Sequence, residues 1–155
     1  MTELPGAPTF APPIDGVRTG GGRSAEPPRV IAVIGASGEP GTAGAALLRG
    51  VRATGAVYAV NPHYAGADLD GVPCVAGFAE LPERPDLAVV AVPAYAVCGV
   101  AAACGRSGIP ALTVIRAELT AEQHRRLLAV CRDHGMRLVD PESLAKAGVL
   151  QEDPA

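Results

Sequence analysis

The sequence lacks the segments that would mark a membrane protein or a secreted precursor. No apolar run is long enough to span a bilayer, and residues 1–28 contain no basic stretch followed by an apolar one. We therefore expect no membrane partner and a cytoplasmic location. Because residues 1–28 are rich in Pro and Gly, they predict a disordered tail, and the folded domain should begin near Arg29.

The chain also lacks a strong charge of either sign. Its 13 Lys and Arg residues against 16 Asp and Glu residues give a formal net charge of −3. This balance offers no electrostatic reason to expect a nucleic acid or an acidic membrane as partner. The 155 residues, 48% hydrophobic and 19% charged, fit one globular domain with a substantial core.

The cysteines do not occur in the paired spacing of a zinc site. The four cysteines form no C-x-x-C pair. Cys98, Cys104 and Cys131 fall within apolar helical patterns, so we expect buried free thiols in a reducing compartment. A zinc site or a disulfide is the alternative. No carboxylate belongs to a histidine pair or a metal motif, so we predict no catalytic and no metal-binding residue.

What the sequence does contain is a strand, a glycine-rich turn and a helix in succession. The apolar run Val30–Ile34 stops at Gly35, glycines recur at Gly38, Gly41 and Gly44, and an apolar helical pattern follows. This order is typical of the phosphate-binding corner of a doubly wound α/β fold. Glycines let the backbone approach a diphosphate, and the helix N-terminus favours its negative charge. The corner therefore predicts a ligand that contains a nucleotide.

Further strands and helices alternate along the chain and predict a single α/β domain. We expect a Rossmann-like, doubly wound parallel sheet in three layers over residues 29–150, with strand order 3-2-1-4-5 and a short tail at 151–155. The ligand should lie at the carboxyl ends of the strands, near Ser37, His63, Pro93 and Arg116. The predicted strands are 56–60, a short edge segment at 71–75, 87–92, 111–115 and 136–139, and the predicted helices are 95–106 and 120–135.

Two common nucleotide sites do not match this corner. A P-loop is excluded because no Gly-Lys-Ser/Thr follows the turn. An NAD site usually has G-x-G-x-x-G spacing and an Asp or Glu after the second strand, but that strand here ends Val60-Asn-Pro-His63. A domain that senses NAD(H) is therefore a weaker alternative.

Several linked motifs carry a resemblance to a known family. Taken together, they resemble the CoA-binding domain of NDP-forming acyl-CoA synthetases and of the succinyl-CoA ligase α subunit, a domain that also occurs as small stand-alone proteins. The resemblance covers roughly residues 29–150. The motifs are Gly35-Ala-Ser-Gly-Glu-Pro-Gly41, Val57-Tyr-Ala-Val-Asn-Pro62, Gly71-Val-Pro-Cys74, Leu81-Pro82, Pro85-Asp-Leu-Ala-Val-Val-Ala-Val-Pro93 and Gly135-Met-Arg-Leu138.

The resemblance implies coenzyme A or acyl-CoA as the ligand and assigns roles to four loops. The glycine-rich turn would hold phosphates, the loop after the second strand would approach them, the Val-Pro loop would lie by the adenine, and the loop after 111–115 would approach the pantetheine end. Tyr95 either stacks near the adenine or packs the start of its helix. The implied binding residues are Gly35, Ser37, Gly38, Glu39, Pro40, Gly41, Asn61, Pro62, His63, Tyr64, Val92, Pro93, Ala94, Ile115 and Arg116.

The chain departs from the family in ways that bear on activity. His63 stands where the family often has lysine, Arg116–Glu118 replaces Ser-Ala-Gly, and Asp140–Glu142 replaces Gly-Pro-Asn. The complete synthetases also use a domain with a phosphorylated histidine and an ATP-grasp module, for which we expect 155 residues to be too few. The resemblance thus favours a CoA or acyl-CoA binding module without catalysis of its own. The alternative is a subunit or remnant of a synthetase that acts with separate ATP-grasp domains.

Overall fold

A computed structural model of the chain describes residues 28–35, 43–69, 71–115 and 117–150. Strands and helices alternate through these ranges, as the sequence predicts. None of the helices within them has the length and apolar character needed to cross a bilayer. The strands are β1 Val30–Ile34, β2 Ala56–Val60, β3 Asp68–Leu69, β4 Val72–Val75, β5 Leu87–Val90, β6 Ala111–Val114 and β7 Arg137–Leu138; the helices are α1 Ala43–Gly50, α2 Ala94–Arg106, α3 Ala121–His134 and α4 Pro141–Lys146.

The described strands form one sheet with the order β3-β4-β2-β1-β5-β6-β7. All pairs are parallel except β3 with β4. The predicted order 3-2-1-4-5 corresponds to the observed order β4-β2-β1-β5-β6. Strand β3 lies outside β4 at one end of the sheet, and β7 lies outside β6 at the other. The central strand β1 is buried along its whole length, as a parallel sheet covered on both faces requires.

Helices cover both faces of the sheet and make the predicted three layers. On one face, Leu48 of α1 and Leu144 of α4 pack against Ile31 and Val33. On the other, Val97 of α2 and Leu127 of α3 belong to the cluster that includes the β1 residue Ala32. The two faces of β1 thus contribute alternate residues to two separate apolar clusters. We conclude that the fold is the doubly wound α/β class.

The chain contains the local signals that begin and end the third and fourth helices. The Thr120 side chain accepts the Gln123 N–H (3.1 Å), and the Gln123 side chain accepts the Thr120 N–H (2.9 Å), so α3 begins with a capping box. Gly135 ends α3 in the left-handed conformation, with φ of 70°. Asp140 caps α4 by accepting the Glu142 N–H (3.2 Å), and Pro141 is its first residue.

The structure corrects several details of the sequence prediction. The segment 71–75 is not an edge, because the two-residue strand β3 pairs with its outer side through Asp68↔Pro73 and Leu69↔Val72. Pro73 is tolerated because the pairing of β4 with β2 begins only at Cys74. Helix α4 was not predicted. The strands predicted at 87–92, 111–115 and 136–139 are shorter in the structure, at Leu87–Val90, Ala111–Val114 and Arg137–Leu138.

All four cysteines are free thiols, three of them buried and Cys98 half-buried. Burial raises the pKa of the Cys74 and Cys131 thiols. Burial, and to a lesser extent the neighbouring Cys131 thiol, raises the pKa of Cys104 to about 12. These three thiols are therefore protonated at neutral pH, which agrees with a role in packing.

Candidate functional site

The carboxyl ends of the central strands lie side by side and form one edge of the sheet. β1 is the point where the strand order reverses, with β2 on one side and β5 on the other. The helix after β1 packs on one face and the helix after β5 on the opposite face, so a crevice is expected between the two loops. Backbone hydrogen bonds extend the ladders one residue past the strands: Gly35 N–H to Val60 C=O (3.2 Å), Ala91 N–H to Ile34 C=O (2.9 Å) and Ile115 N–H to Val90 C=O (2.8 Å).

Gly35 is the first residue of the loop after β1, and both its backbone conformation and its close contacts favour glycine. Its φ is +92°, in the region that favours glycine. A Cβ at Gly35 would collide with the carbonyl oxygen of Ala91 and lie 3.0 Å from Cγ1 of Val92. The segments that follow β1 and β5 are therefore in direct contact. Ser37, Gly38, Glu39, Pro40 and Gly41, the predicted phosphate-binding residues, lie outside the described residues.

The loop after β2 is a short 3-10 turn, Pro62–Tyr64, held by Asn61. The Asn61 side-chain oxygen accepts the His63 N–H (2.9 Å), and the Asn61 carbonyl accepts the Tyr64 N–H (3.1 Å). The rings of His63 and Tyr64 meet edge to face with centroids 4.9 Å apart, and His63 is exposed. An NAD site has a carboxylate for the ribose at this position. This chain has Asn61, whose side-chain oxygen already accepts a hydrogen bond from a backbone N–H.

The loop after β5 leads directly into α2. Val92 and Ala94 are half-buried and Pro93 is exposed. Pro93 occupies the N-cap position and makes no side-chain cap hydrogen bond, unlike Thr120 at the start of α3. The first N–H groups of α2 are therefore without a capping side chain at this edge, where the helix dipole favours a negatively charged ligand.

The remaining predicted contacts belong to the loop after β6. Ile115 is half-buried and packs against the core cluster of the α1 face. Its N–H donates to Val90, so it lies beside the loop that follows β5. Arg116 lies outside the described residues. The structure thus brings Gly35, Val92 and Ile115 to the same edge, with Asn61 beside them.

Tyr95 is exposed near this edge, although it is not among the predicted binding residues. It lies in the first turn of α2 and is 85% exposed, so it does not pack the start of its helix. The sequence indicated its position after Pro93, but helical periodicity alone could not show its exposure, because Val97 and Ala101 are buried on the same helix.

A second cleft, of about 600 Å³, opens at the opposite end of the sheet. It lies at the amino ends of β5 and β6 and beside α4, so it is separate from the predicted site. Its carboxylates, Asp86 and Asp140, are unfavourable for an anionic ligand. Asp86 already accepts the N–H groups of Arg29 (3.0 Å) and Val30 (3.1 Å). Its walls include Pro28, Leu87, Ala111, Arg137, Ser143 and Val149.

Neither a metal cluster nor a membrane span is found in the described ranges. In those ranges, no group of three or more His, Cys, Asp or Glu side chains is placed to hold a metal ion. What the carboxyl edge offers a ligand is backbone N–H groups, an exposed imidazole and an exposed tyrosine. This combination suits a phosphate-bearing compound with an aromatic group.

Comparison with known families shows to which family the domain belongs. The model of the CoA binding domain family matches residues 29–148. The chain belongs to the CoA-binding domain family. It is homologous to the CoA-binding part of NDP-forming acyl-CoA synthetases. The family match confirms the family and the fold that the sequence resemblance implied.

Individual relatives show the same relationship. The chain is 37% identical over 124 residues to ADP-forming acetate–CoA ligase I of Archaeoglobus fulgidus, covering 76% of this chain and 18% of the relative. It is 31% identical to the α subunit of ADP-forming acetate–CoA ligase I of Pyrococcus furiosus, covering 74% and 27%. The chain therefore spans only about a fifth to a quarter of the length of these relatives.

A solved structure of a relative has the same fold. The apo form of dinucleotide-forming acetyl-coenzyme A synthetase 1 from Ca. Korarchaeum cryptofilum superposes with a TM-score of 0.66 at 33% identity. The superposition covers 73% of this chain and 26% of that one. The CoA-binding domain is thus a minor part of the larger protein.

Proposed function

We propose that this domain binds CoA or acyl-CoA at the carboxyl edge of the sheet. The loop Ser37–Gly41 would bind the diphosphate through its main-chain N–H groups. Asn61–Tyr64 would approach the phosphates, Val92–Ala94 would lie by the adenine, and Ile115 with Arg116 would lie toward the pantetheine. The observation that supports this most strongly is the contact of Gly35 with Ala91 and Val92, which starts the phosphate loop inside the crevice.

Ligand-dependent thermal melting tests the proposal directly. A ligand that binds only the native state raises the melting temperature by mass action. We expect CoA, acetyl-CoA and dephospho-CoA to raise it and NAD and ATP to leave it unchanged. A shift with NAD and none with CoA would show instead that the domain senses NAD(H).

The location of the site is tested by adding a side chain to the phosphate loop. Gly38→Val should block the approach of the diphosphate and abolish the shift that CoA produces. Gly99→Val is the matched control, because Gly99 is exposed on α2 and a Cβ there would have no neighbour within 4 Å. A CoA-induced shift that survives Gly38→Val would contradict our placement of the diphosphate.

We further propose that the domain has no catalytic activity alone. The thiols of Cys74, Cys104 and Cys131 are protonated at neutral pH and so are poor nucleophiles. The alternative, a CoA-binding subunit of a synthetase, is favoured by the similarity to an α subunit of an acetate–CoA ligase. Incubation with ATP, CoA and acetate separates the two: ADP production by the purified chain alone would disprove the first proposal, whereas ADP production only with an added ATP-grasp subunit would support the alternative.

A further inference from the structure

Tyr95 is unusually exposed for an aromatic residue of a small α/β domain. In the described part of the chain only Tyr95, at 85%, and Leu128, at 41%, are exposed large hydrophobic residues. The other two tyrosines are half-buried: Tyr58 donates a hydrogen bond to Glu83 (2.8 Å), and Tyr64 packs against the core cluster. Tyr95 therefore contributes almost no buried area to the fold, and its ring is available to a ligand.

The position of Tyr95 places it beside the crevice at the carboxyl edge. It is the second residue of α2, the helix that follows β5, and it is three residues after Val92, whose side chain borders Gly35. The crevice of a doubly wound sheet opens between the loops after the two strands where the order reverses, here β1 and β5. The first turn of α2 thus forms one wall of that crevice.

We infer that the ring of Tyr95 stacks on the adenine base of bound CoA. This inference rests on the proposed CoA site and adds the residue that recognises the nucleotide end of the ligand. Adenine is the only aromatic group in CoA, and the pantetheine arm offers no π face. Stacking of a base on an exposed aromatic side chain strengthens binding by about five-fold to a hundred-fold. The uncapped N-terminus of α2 next to Tyr95 is favourable for the phosphates on the same nucleotide.

Calorimetric titration of three ligands against Tyr95 variants tests the inference. The ligands are CoA, the adenosine bisphosphate that makes up its nucleotide half, and phosphopantetheine, which lacks adenine. We expect Tyr95→Ala to weaken CoA and adenosine bisphosphate equally, by about ten-fold, and to leave phosphopantetheine unchanged. Tyr95→Phe should keep wild-type affinity, whereas Tyr95→Leu, apolar but not aromatic, should behave more like Tyr95→Ala. Because Tyr95 is exposed, none of these changes should alter the melting temperature of the free protein.

Intrinsic fluorescence gives a second, independent readout. The chain has no tryptophan and three tyrosines, so its ultraviolet emission comes from tyrosine alone. Stacked adenine should quench part of this emission when CoA is added, and Tyr95→Ala should remove that quenching. Tyr58→Phe is the matched control, because Tyr58 lies on β2 in hydrogen-bond contact with Glu83 and should leave the ligand-induced quenching intact.

The outcomes separate this inference from the proposed function. If the wild-type chain binds none of the three ligands, the proposed function fails. If it binds CoA and Tyr95→Ala binds CoA equally well with undiminished quenching, Tyr95 does not contact the base and only this inference is overturned. A loss confined to phosphopantetheine would also overturn it, because Tyr95 would then lie at the other end of the ligand.

Discussion

At the scale of the residue, Gly35 combines two constraints that are usually met separately. Its positive φ requires glycine for conformational reasons, and its contact with Ala91 and Val92 requires glycine for space. The sequence indicated glycine at this point for the approach of a diphosphate. The structure shows that the first glycine of the motif serves the packing of the loop after β1 against the loop after β5.

Comparison of two alanine substitutions separates these constraints. Gly66 has nearly the same φ, +86°, but a Cβ there would meet nothing within 4 Å. We expect Gly66→Ala to reduce the free energy of unfolding by about 1 kcal/mol through backbone strain alone. Gly35→Ala should lose about 1–3 kcal/mol more through the collision with Ala91. Urea unfolding measures both, and equal losses would show that the contact between the loops is easily relieved.

Thr113 on β6 is a buried residue whose side chain weakens the core. Its hydroxyl is fully buried and has no hydrogen-bond partner, while its neighbour on β5 is Val89. Thr113→Val should therefore raise the free energy of unfolding by about 1–3 kcal/mol, because it removes an unsatisfied buried hydroxyl at nearly constant shape. Thr113→Ser, which keeps the hydroxyl and deletes the methyl group, should lower it. Thermal unfolding of the two variants gives the comparison, and a destabilised Thr113→Val would indicate that the hydroxyl has a partner in solution.

At the scale of the element, capping distinguishes α2 from α3, which both begin at the carboxyl edge. Helix α3 starts with a complete capping box, whereas α2 starts with Pro93 and no side-chain cap. Because the cap of α3 satisfies backbone N–H groups within the protein, its first turn has less to offer a ligand than the first turn of α2.

The capping box of α3 should contribute measurably to stability. Thr120→Ala removes the acceptor for the Gln123 N–H and should lower the free energy of unfolding by about 1 kcal/mol. Thr120→Ser keeps the hydroxyl and should lose much less. The midpoint of urea unfolding reports the difference, and identical midpoints for the two variants would mean that water replaces the cap without cost.

The elements that the sequence predicted are those with strong periodicity or buried runs. The strands around Val30–Ile34 and Leu87–Val90 and the capped helix α3 were predicted from such signals. Strand β3 has only two residues, too few for a period of two to show. Helix α4 does have a start signal, Asp140-Pro141, which the sequence prediction did not use. The structure shows that the signal is an ordinary helix cap.

At the scale of the whole molecule, the last described residues pack against the segment that follows α1. Arg52 N–H donates to Val149 C=O (2.8 Å), and Leu150 forms an antiparallel bridge with Val51. Val149 and Leu150 are only 2% and 8% exposed. These contacts support our proposal that the domain extends over residues 29–150.

Truncation variants test this boundary. A chain that ends at Ala147 loses two buried apolar side chains and should lose about 3–6 kcal/mol, a large part of the stability of a small domain. A chain that ends at Leu150, or one that begins at Pro28, should keep the wild-type melting temperature. A stable chain ending at Ala147 would show that the contacts with Val51 and Arg52 are dispensable.

The sequence alone predicts the ligand class and the sheet edge at which the ligand should bind. The structure describes only some of the predicted binding residues. A switch point follows from the order of strands and helices, which hydrophobic patterns predict well. Side-chain exposure does not follow from those patterns. The sequence alone therefore does not show whether Tyr95 faces solvent or packs the start of its helix. The phosphate-loop residues Ser37–Gly41 and Arg116 remain predictions from the family resemblance.

The anchoring of Arg29 and Val30 by Asp86 has a practical consequence for building sensors from this protein. The carboxylate holds the entry to β1 at the amino edge of the sheet, which is the edge opposite the proposed coenzyme site. The five residues of β1 separate the two edges by about 17 Å. A surface tether or fluorescent reporter joined directly to Pro28 should therefore leave the proposed coenzyme site unobstructed.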